Sequence, residues 1–153
     1  MEIIEFGITD VENHRDEMVE MLKRSFEKSF PTEKFDEDSF YRRIDNLKNY
    51  LTEKKAKVFS INYEGDLAGF IWFFERKDSY NTVIHINHFV VHEKFQRLGI
   101  GGSLLEKVET YANINDIKEI ELYVTYDNEA AVNFYNKKSF EIERVIMKKR
   151  LMK

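Results

Sequence analysis

The pattern of apolar and polar positions divides the chain into short segments of different period. Apolar and charged residues alternate near the N-terminus, predicting a short strand around Ile3 to Gly7. From about Asp10 to Phe30 the spacing of Met18, Met21, Leu22 and Phe26 suits one face of a helix, and Pro31 ends the run. Phe40, Ile44, Leu47 and Leu51 then fall at i, i+4, i+7 and i+11, a single stripe that predicts a second helix. After Lys57 the pattern turns to β. Val58, Phe59 and Ile61, a Glu64-Gly65-Asp66 turn and Leu67 to Phe74 predict a hairpin, and Thr82 to Val91 predicts a third long strand. A glycine-containing segment leads into a helix whose Leu104, Leu105, Val108, Tyr111 and Ala112 face one way. Ile120 to Val124 reads as a strand, Asp127 or Asn128 can cap a helix from Glu129 to Lys138, and Ile142 to Met147 reads as a last strand. The order ααβββαβαβ, with the extra N-terminal strand, places the fold in the α/β or α+β class with a mixed sheet.

The 153 residues contain one Pro and no repeat or linker-like run, so a single domain over 1–153 is expected. The 42% hydrophobic content, with 13 Phe, 8 Tyr and one Trp, requires a packed core and argues against disorder. A formal charge of −4 supplies no basic footprint, so neither nucleic acid nor an anionic membrane surface is the expected partner, while a cationic substrate suits it better. The runs Lys54-Lys55 and Lys148-Lys149-Arg150 read as solvated ends. The chain has no cysteine, which removes thiol nucleophiles and Cys-ligated zinc. No apolar run approaches a membrane span or a signal-peptide core, and a cytoplasmic protein is expected.

The segment Gln96-Arg97-Leu98-Gly99-Ile100-Gly101-Gly102-Ser103 stands between a strand and a helix. The first N–H groups of a helix lack intrahelical acceptors and lie at the positive end of its dipole, so such a turn is suited to phosphates. Gly99 and Gly101 permit close backbone approach, Arg97 adds charge and Ser103 adds a hydroxyl. A Walker loop is excluded by the missing Gly-Lys-Ser/Thr. A dinucleotide fingerprint needs a third glycine where Leu104 stands, although Glu121 does lie twenty residues beyond Gly101. A plain packing turn is the remaining alternative.

Gln96-Arg97-x-Gly99-x-Gly101, preceded by Ile86-Asn87-His88-Phe89-Val90-Val91 and followed by Leu104-Leu105, resembles the acetyl-CoA motif of the GNAT acetyltransferases. Downstream, Asn128-x-x-Ala131-x-x-Phe134-Tyr135-x-Lys137-x-x-Phe140 is similar to that family's later CoA-contacting helix. Two motifs in the right order are more specific than either alone, and together they cover about Ile86 to Phe140. The resemblance implies a mixed, mostly antiparallel twisted sheet flanked by helices and split between the fourth and fifth strands, with the pantetheine arm of acetyl-CoA along Val90 and Val91. It implies N-acetyl transfer to a small-molecule or peptide amine by direct attack in a ternary complex. The alternative is a non-catalytic acyl-CoA-binding or regulatory module of the same fold. A homodimer is compatible with the family. Ser139 stands where the family usually has Gly, a departure that leads one to expect a different local turn.

Acetyl transfer to an amine needs a neutral nucleophile, a donor for the oxyanion and an acid for the departing thiolate. The resemblance implies Tyr135 as the acid, a backbone N–H near Val91 as the oxyanion donor, and Asn128 beside the cofactor. His85 is the expected base, because imidazole titrates near ~6.5 and stands where some members carry a glutamate. Tyr123, Glu121 or a water are rivals for that role. His85, His88 and His92 cluster in sequence, but on a regular strand His85 and His88 point to opposite faces, so no metal site is expected. Of Phe30, Phe35, Phe40, Tyr41, Trp72 and Phe74, most are expected in the core and some at an acceptor pocket, with Asp or Glu nearby to attract an amine.

Overall fold

The computed structural model describes residues 1–152. They form two compact units, one from Met1 to Tyr123 and one from Val124 onward. Among the described residues no helix is long and apolar enough to cross a membrane.

The first unit is built on a five-stranded sheet in sequential order, β1 (Glu2–Glu5), β2 (Lys57–Tyr63), β3 (Asp66–Lys77), β4 (Thr82–Val91) and β5 (Glu119–Leu122). The first four strands pair antiparallel and β5 runs parallel to β4. The β2–β3 hairpin closes through Glu64 and Gly65, both at positive φ (52° and 85°), the backbone of a type I′ turn whose twist matches its strands. β4 is ten residues long, yet β5 pairs only with Val83 to Ile86. Among the described residues no strand lies beside Val90 and Val91 on the side away from β3. That is the expected split between the fourth and fifth strands.

Helices α1 (Ile8–Asn13), α2 (Arg15–Ser29) and α3 (Glu37–Thr52) cover one face of the sheet. Their buried Val11, Met18, Leu22, Phe40, Ile44 and Leu47 join Phe70, Trp72 and Val90 in one core, the main source of stabilisation by removal of apolar area from water. The single helix expected from Asp10 to Phe30 is interrupted at His14. The His14 ring takes up the Asp10 carbonyl at 2.9 Å and stacks on Phe6 with centroids 4.9 Å apart, so a tertiary contact divides an otherwise continuous apolar stripe. Arg15 then clamps α2 to α3 through two 2.9 Å hydrogen bonds to Asp45.

Helix α4 (Ile100–Ile114) covers the other face. Its Tyr111 meets Phe73 edge-on, and its first turn approaches β3 so closely that a Cβ on Gly69 would lie 3.0 Å from Ile100 Cγ2, 3.1 Å from the Val90 carbonyl and 3.2 Å from Leu104 Cδ1. A side chain at Gly69 would therefore have to displace one of these neighbours by a few tenths of an ångström.

The second unit contains α5 (Glu129–Lys137), capped by the Asn128 side chain, which accepts from the Ala131 N–H at 3.2 Å. Ser139 adopts φ 70° and donates its N–H to Asn136, while the Phe140 N–H reaches back to the Tyr135 carbonyl at 2.9 Å. This is a Schellman stop with serine in the left-handed position, so the turn expected to differ is the one glycine would make. The last strand expected over Ile142 to Met147 does not form. Ile146 and Met147 are about nine-tenths exposed and the segment carries no regular structure, because alternation makes a strand only where a neighbouring edge completes its hydrogen bonds.

Candidate active site

Between β4 and α4 the chain makes a 3-10 turn, Glu93–Phe95, whose entry is fixed by the Lys94 N–H donating to the His92 ring at 3.1 Å. Gln96 is extended, Arg97 has φ 67° and Gly99 has φ 81° as N-cap of α4. Nothing lies within 4 Å of a Cβ built on Gly99, so glycine serves there for its left-handed backbone. The Ser103 N–H is the first shown to bond back into the turn, to the Gly99 carbonyl at 3.0 Å. Arg97, Leu98 and Gly99 are exposed, and Gly101, Gly102 and Ser103 are partly so. Ile100, expected at the cofactor, has its side chain in the core at 1% exposure and can offer only its backbone.

A cavity of about 140 Å³ opens beside this turn, lined by Val90, Val91, His92 and Gln96 and, from α2, by Arg24 and Lys28. The expected cofactor residues Val90, Val91 and Gln96 thus come together at the one-sided part of β4. That Arg24 and Lys28 line this cavity was not legible in the sequence. Their i,i+4 spacing shows only that two cations share a helix face, and Arg24 is already paired with Glu20 at 3.0 Å. Glu93 also lines the cavity and lies 3.8 Å from Arg24, so Lys28, the nearby Arg97 and the start of α4 are what would suit a phosphorylated ligand with an extended arm. A larger cleft of about 410 Å³, bounded by Glu75, Lys77, Asn81, Asn115, Asp116 and Glu119, holds none of the expected residues.

The histidines are arranged differently from the regular-strand expectation. Trp72 pairs with His88 but Phe73 pairs with Ile86, so Asn87 is an extra residue on β4. The bulge puts His88, opposite Trp72, and His85, opposite Phe74, on the same face of the sheet. His88 stays against the core, 5.0 Å from the Trp72 ring and 6.0 Å from Phe26, and desolvation lowers its pKa to about 4. Trp72 Nε1 is the one buried side-chain polar atom among the described residues with no hydrogen-bond partner. Phe26, Phe30, Phe35 and Phe40 form a contiguous aromatic cluster between α2 and α3, which places Phe30, Phe35 and Phe40 in packing, and Trp72 is in the core.

His85 is 8% exposed and stands in a row with Phe74 on β3 and Glu121 on β5. Its Nδ1 lies 2.6 Å from Glu121 Oε2, and its ring meets Tyr123 edge-on at 4.9 Å. Arg76 holds the same carboxylate through Nε at 3.1 Å and Nη2 at 2.7 Å. The Arg76 hydrogen bonds, opposed by desolvation and aided by His85, keep Glu121 below the ordinary carboxylate range. Residues that were rivals in sequence are neighbours in the fold, since parallel register brings position 121 beside position 85. In the second unit Tyr135 is flanked by Phe134 at 5.3 Å and Phe140 at 5.4 Å, and burial pushes its phenol up to about 12.

Relatives agree with this architecture. The chain is 26% identical over 148 residues to an N-alpha-acetyltransferase of Sulfurisphaera tokodaii, covering 91% of this chain and 79% of that one. A tetramutant of the BH1408 protein from Bacillus halodurans superposes with a TM-score of 0.85 at 17% identity, over 99% of this chain and all of that one. An aminoglycoside acetyltransferase from an uncultured soil metagenomic sample, solved with sisomicin, superposes with a TM-score of 0.75 at 17% identity, over 99% and 96% of the two chains. At that identity the two structures speak for the fold. The acetyltransferase (GNAT) family matches residues 15–140, spanning the one-sided strand, the glycine turn and α5, and the chain belongs to that family.

Proposed function

We propose that the protein binds acetyl-CoA and transfers its acetyl group to an amine by direct attack in a ternary complex. The observation that carries this reading is the continuity of the one-sided end of β4, the adjoining cavity and the left-handed turn at the start of α4. Val90 and Val91 would hold an extended arm through their backbone, and the N–H groups from Gly99 to Gly102, with Arg97 and the Ser103 hydroxyl, would hold its diphosphate. Acetyl-CoA supplies an acyl group already activated as a thioester. His85 takes a proton from the acceptor amine. A backbone N–H near Val91 donates to the oxyanion, and Tyr135, still protonated far above neutrality, donates toward the departing sulfur. The absence of cysteine from the chain is in keeping with direct attack rather than an acetyl-cysteine intermediate. The family match crosses the boundary between the two units, which supports treating them as parts of one domain.

Calorimetric titration with acetyl-CoA, with CoA and NAD as controls, tests the cofactor. Micromolar acetyl-CoA binding, about −8 kcal/mol, with no NAD signal is expected, and no binding by folded protein would return the glycines to a packing turn. The name of the Sulfurisphaera relative makes peptide α-amines the first acceptors to assay. Tyr135→Phe should lower kcat while the acetyl-CoA Kd stays near the original, and unchanged turnover removes the acid assignment.

A further inference from the structure

We propose that Glu121, braced by Arg76, is a positioning residue that fixes the tautomer and orientation of His85 for proton abstraction. The inference rests on the reading of His85 as the base and extends it to two residues with no assigned role. An ionised carboxylate can only accept, so the ring nitrogen 2.6 Å from Glu121 Oε2 carries a proton, and in the neutral ring the lone pair is then on Nε2. A neutral histidine side chain free in water prefers the opposite tautomer, with the proton on Nε2. The carboxylate therefore selects the form whose Nε2 can accept. When Nε2 takes the amine proton, the acceptor's N–H bond breaks as its nitrogen bonds to the acyl carbon and the carbonyl π pair moves to oxygen; collapse then breaks the C–S bond, the thiolate leaves with the Tyr135 proton, and the imidazolium charge stands beside Glu121.

Rigidity comes from three strands. Phe74, His85 and Glu121 form one cross-strand row, and Arg76, two residues along β3 from Phe74, reaches over to the same carboxylate with both arms of its guanidinium. Phe74 and Tyr123 hold the ring from the sides at 5.2 and 4.9 Å. Arg76 also lies 3.9 Å from Asp78. Glu121 is 29% exposed against 10% for the His85 side chain, so the carboxylate stands on the wetter side of the pair. A purely structural ion pair would need Arg76 and Glu121 alone. The histidine at 2.6 Å on the same oxygen is what assigns a chemical role.

The test uses the full chain. Two-bond nitrogen–proton correlation spectra at mildly alkaline pH should show His85 protonated on Nδ1 in the wild type and on Nε2 in Glu121→Ala. The same variant should lose about tenfold or more in kcat, with KM for acetyl-CoA within about twofold, because base orientation and not cofactor binding is removed. If Glu121→Ala fails to fold, the near-isosteric Glu121→Gln is read by kcat and expected to fall several-fold. A wild-type His85 carrying its proton on Nε2 overturns the proposal. Full turnover in the Glu121 variant while His85→Ala is inactive overturns the positioning role alone. Full turnover in His85→Ala overturns it together with the base assignment.

Discussion

Ser139 is a residue held where its side chain costs energy. A non-glycine residue in the left-handed region carries a penalty of about 1 kcal/mol, and the two hydrogen bonds of the Schellman stop together with the Tyr135–Phe140 contact offset it. Ser139→Gly should raise stability by about 1 kcal/mol, read as a shift in the urea midpoint at constant slope. Sequence alone marked this position as unusual but pointed the wrong way, because a departure in residue type does not reveal whether backbone geometry departs with it. The relation of His85 to Glu121 was hidden for another reason. Separated by 36 positions, the two could be compared only as competitors until parallel register made them partners.

At the scale of elements, the segments with strong periodicity were legible and the points where they meet were not. Helix α3, the hairpin, β4 and α4 fall where their apolar spacing puts them. The bulge at Asn87 is invisible in a single strand, since it is a mismatch between β4 and β3, and with it went the face occupied by His88. The break at His14 likewise depends on Phe6. The close contact of α4 with β3 leads to a prediction at this scale. Gly69→Ala forces Ile100, the first residue of α4, or the Val90 backbone to move, and should cost about 1–3 kcal/mol as an overpacked site. Because the displaced atoms border the glycine turn, acetyl-CoA affinity should weaken as well, and a calorimetric Kd equal to wild type would show that the turn is held independently of this contact.

For the molecule as a whole, His88 and Glu121 contribute to acid stability in separate pH windows, beside exposed or half-exposed carboxylates such as Asp45 that are also held low. The unfolded chain protonates His88 near the ordinary 6.5 while the folded chain resists until about 4, so stability is full above 6.5 and falls as pH drops toward 4, by an amount of the order of 3 kcal/mol at most. Glu121 has a depressed folded pKa, so its contribution is present above the ordinary carboxylate value and is lost only as pH falls through the lower folded one. His88→Phe should flatten the first window and leave the second, as measured by urea midpoints across pH. The class of fold, the mixed sheet and the family were all legible from two motifs and the element order, whereas the final strand was not, because its sequence pattern carries no information about whether an edge is available. The one-sided end of β4 also bears on handling. An interior strand with an open flank is a template for any extended segment, so concentrated protein without ligand will nucleate aggregates there, and a saturating occupant of the groove will keep the solution clear.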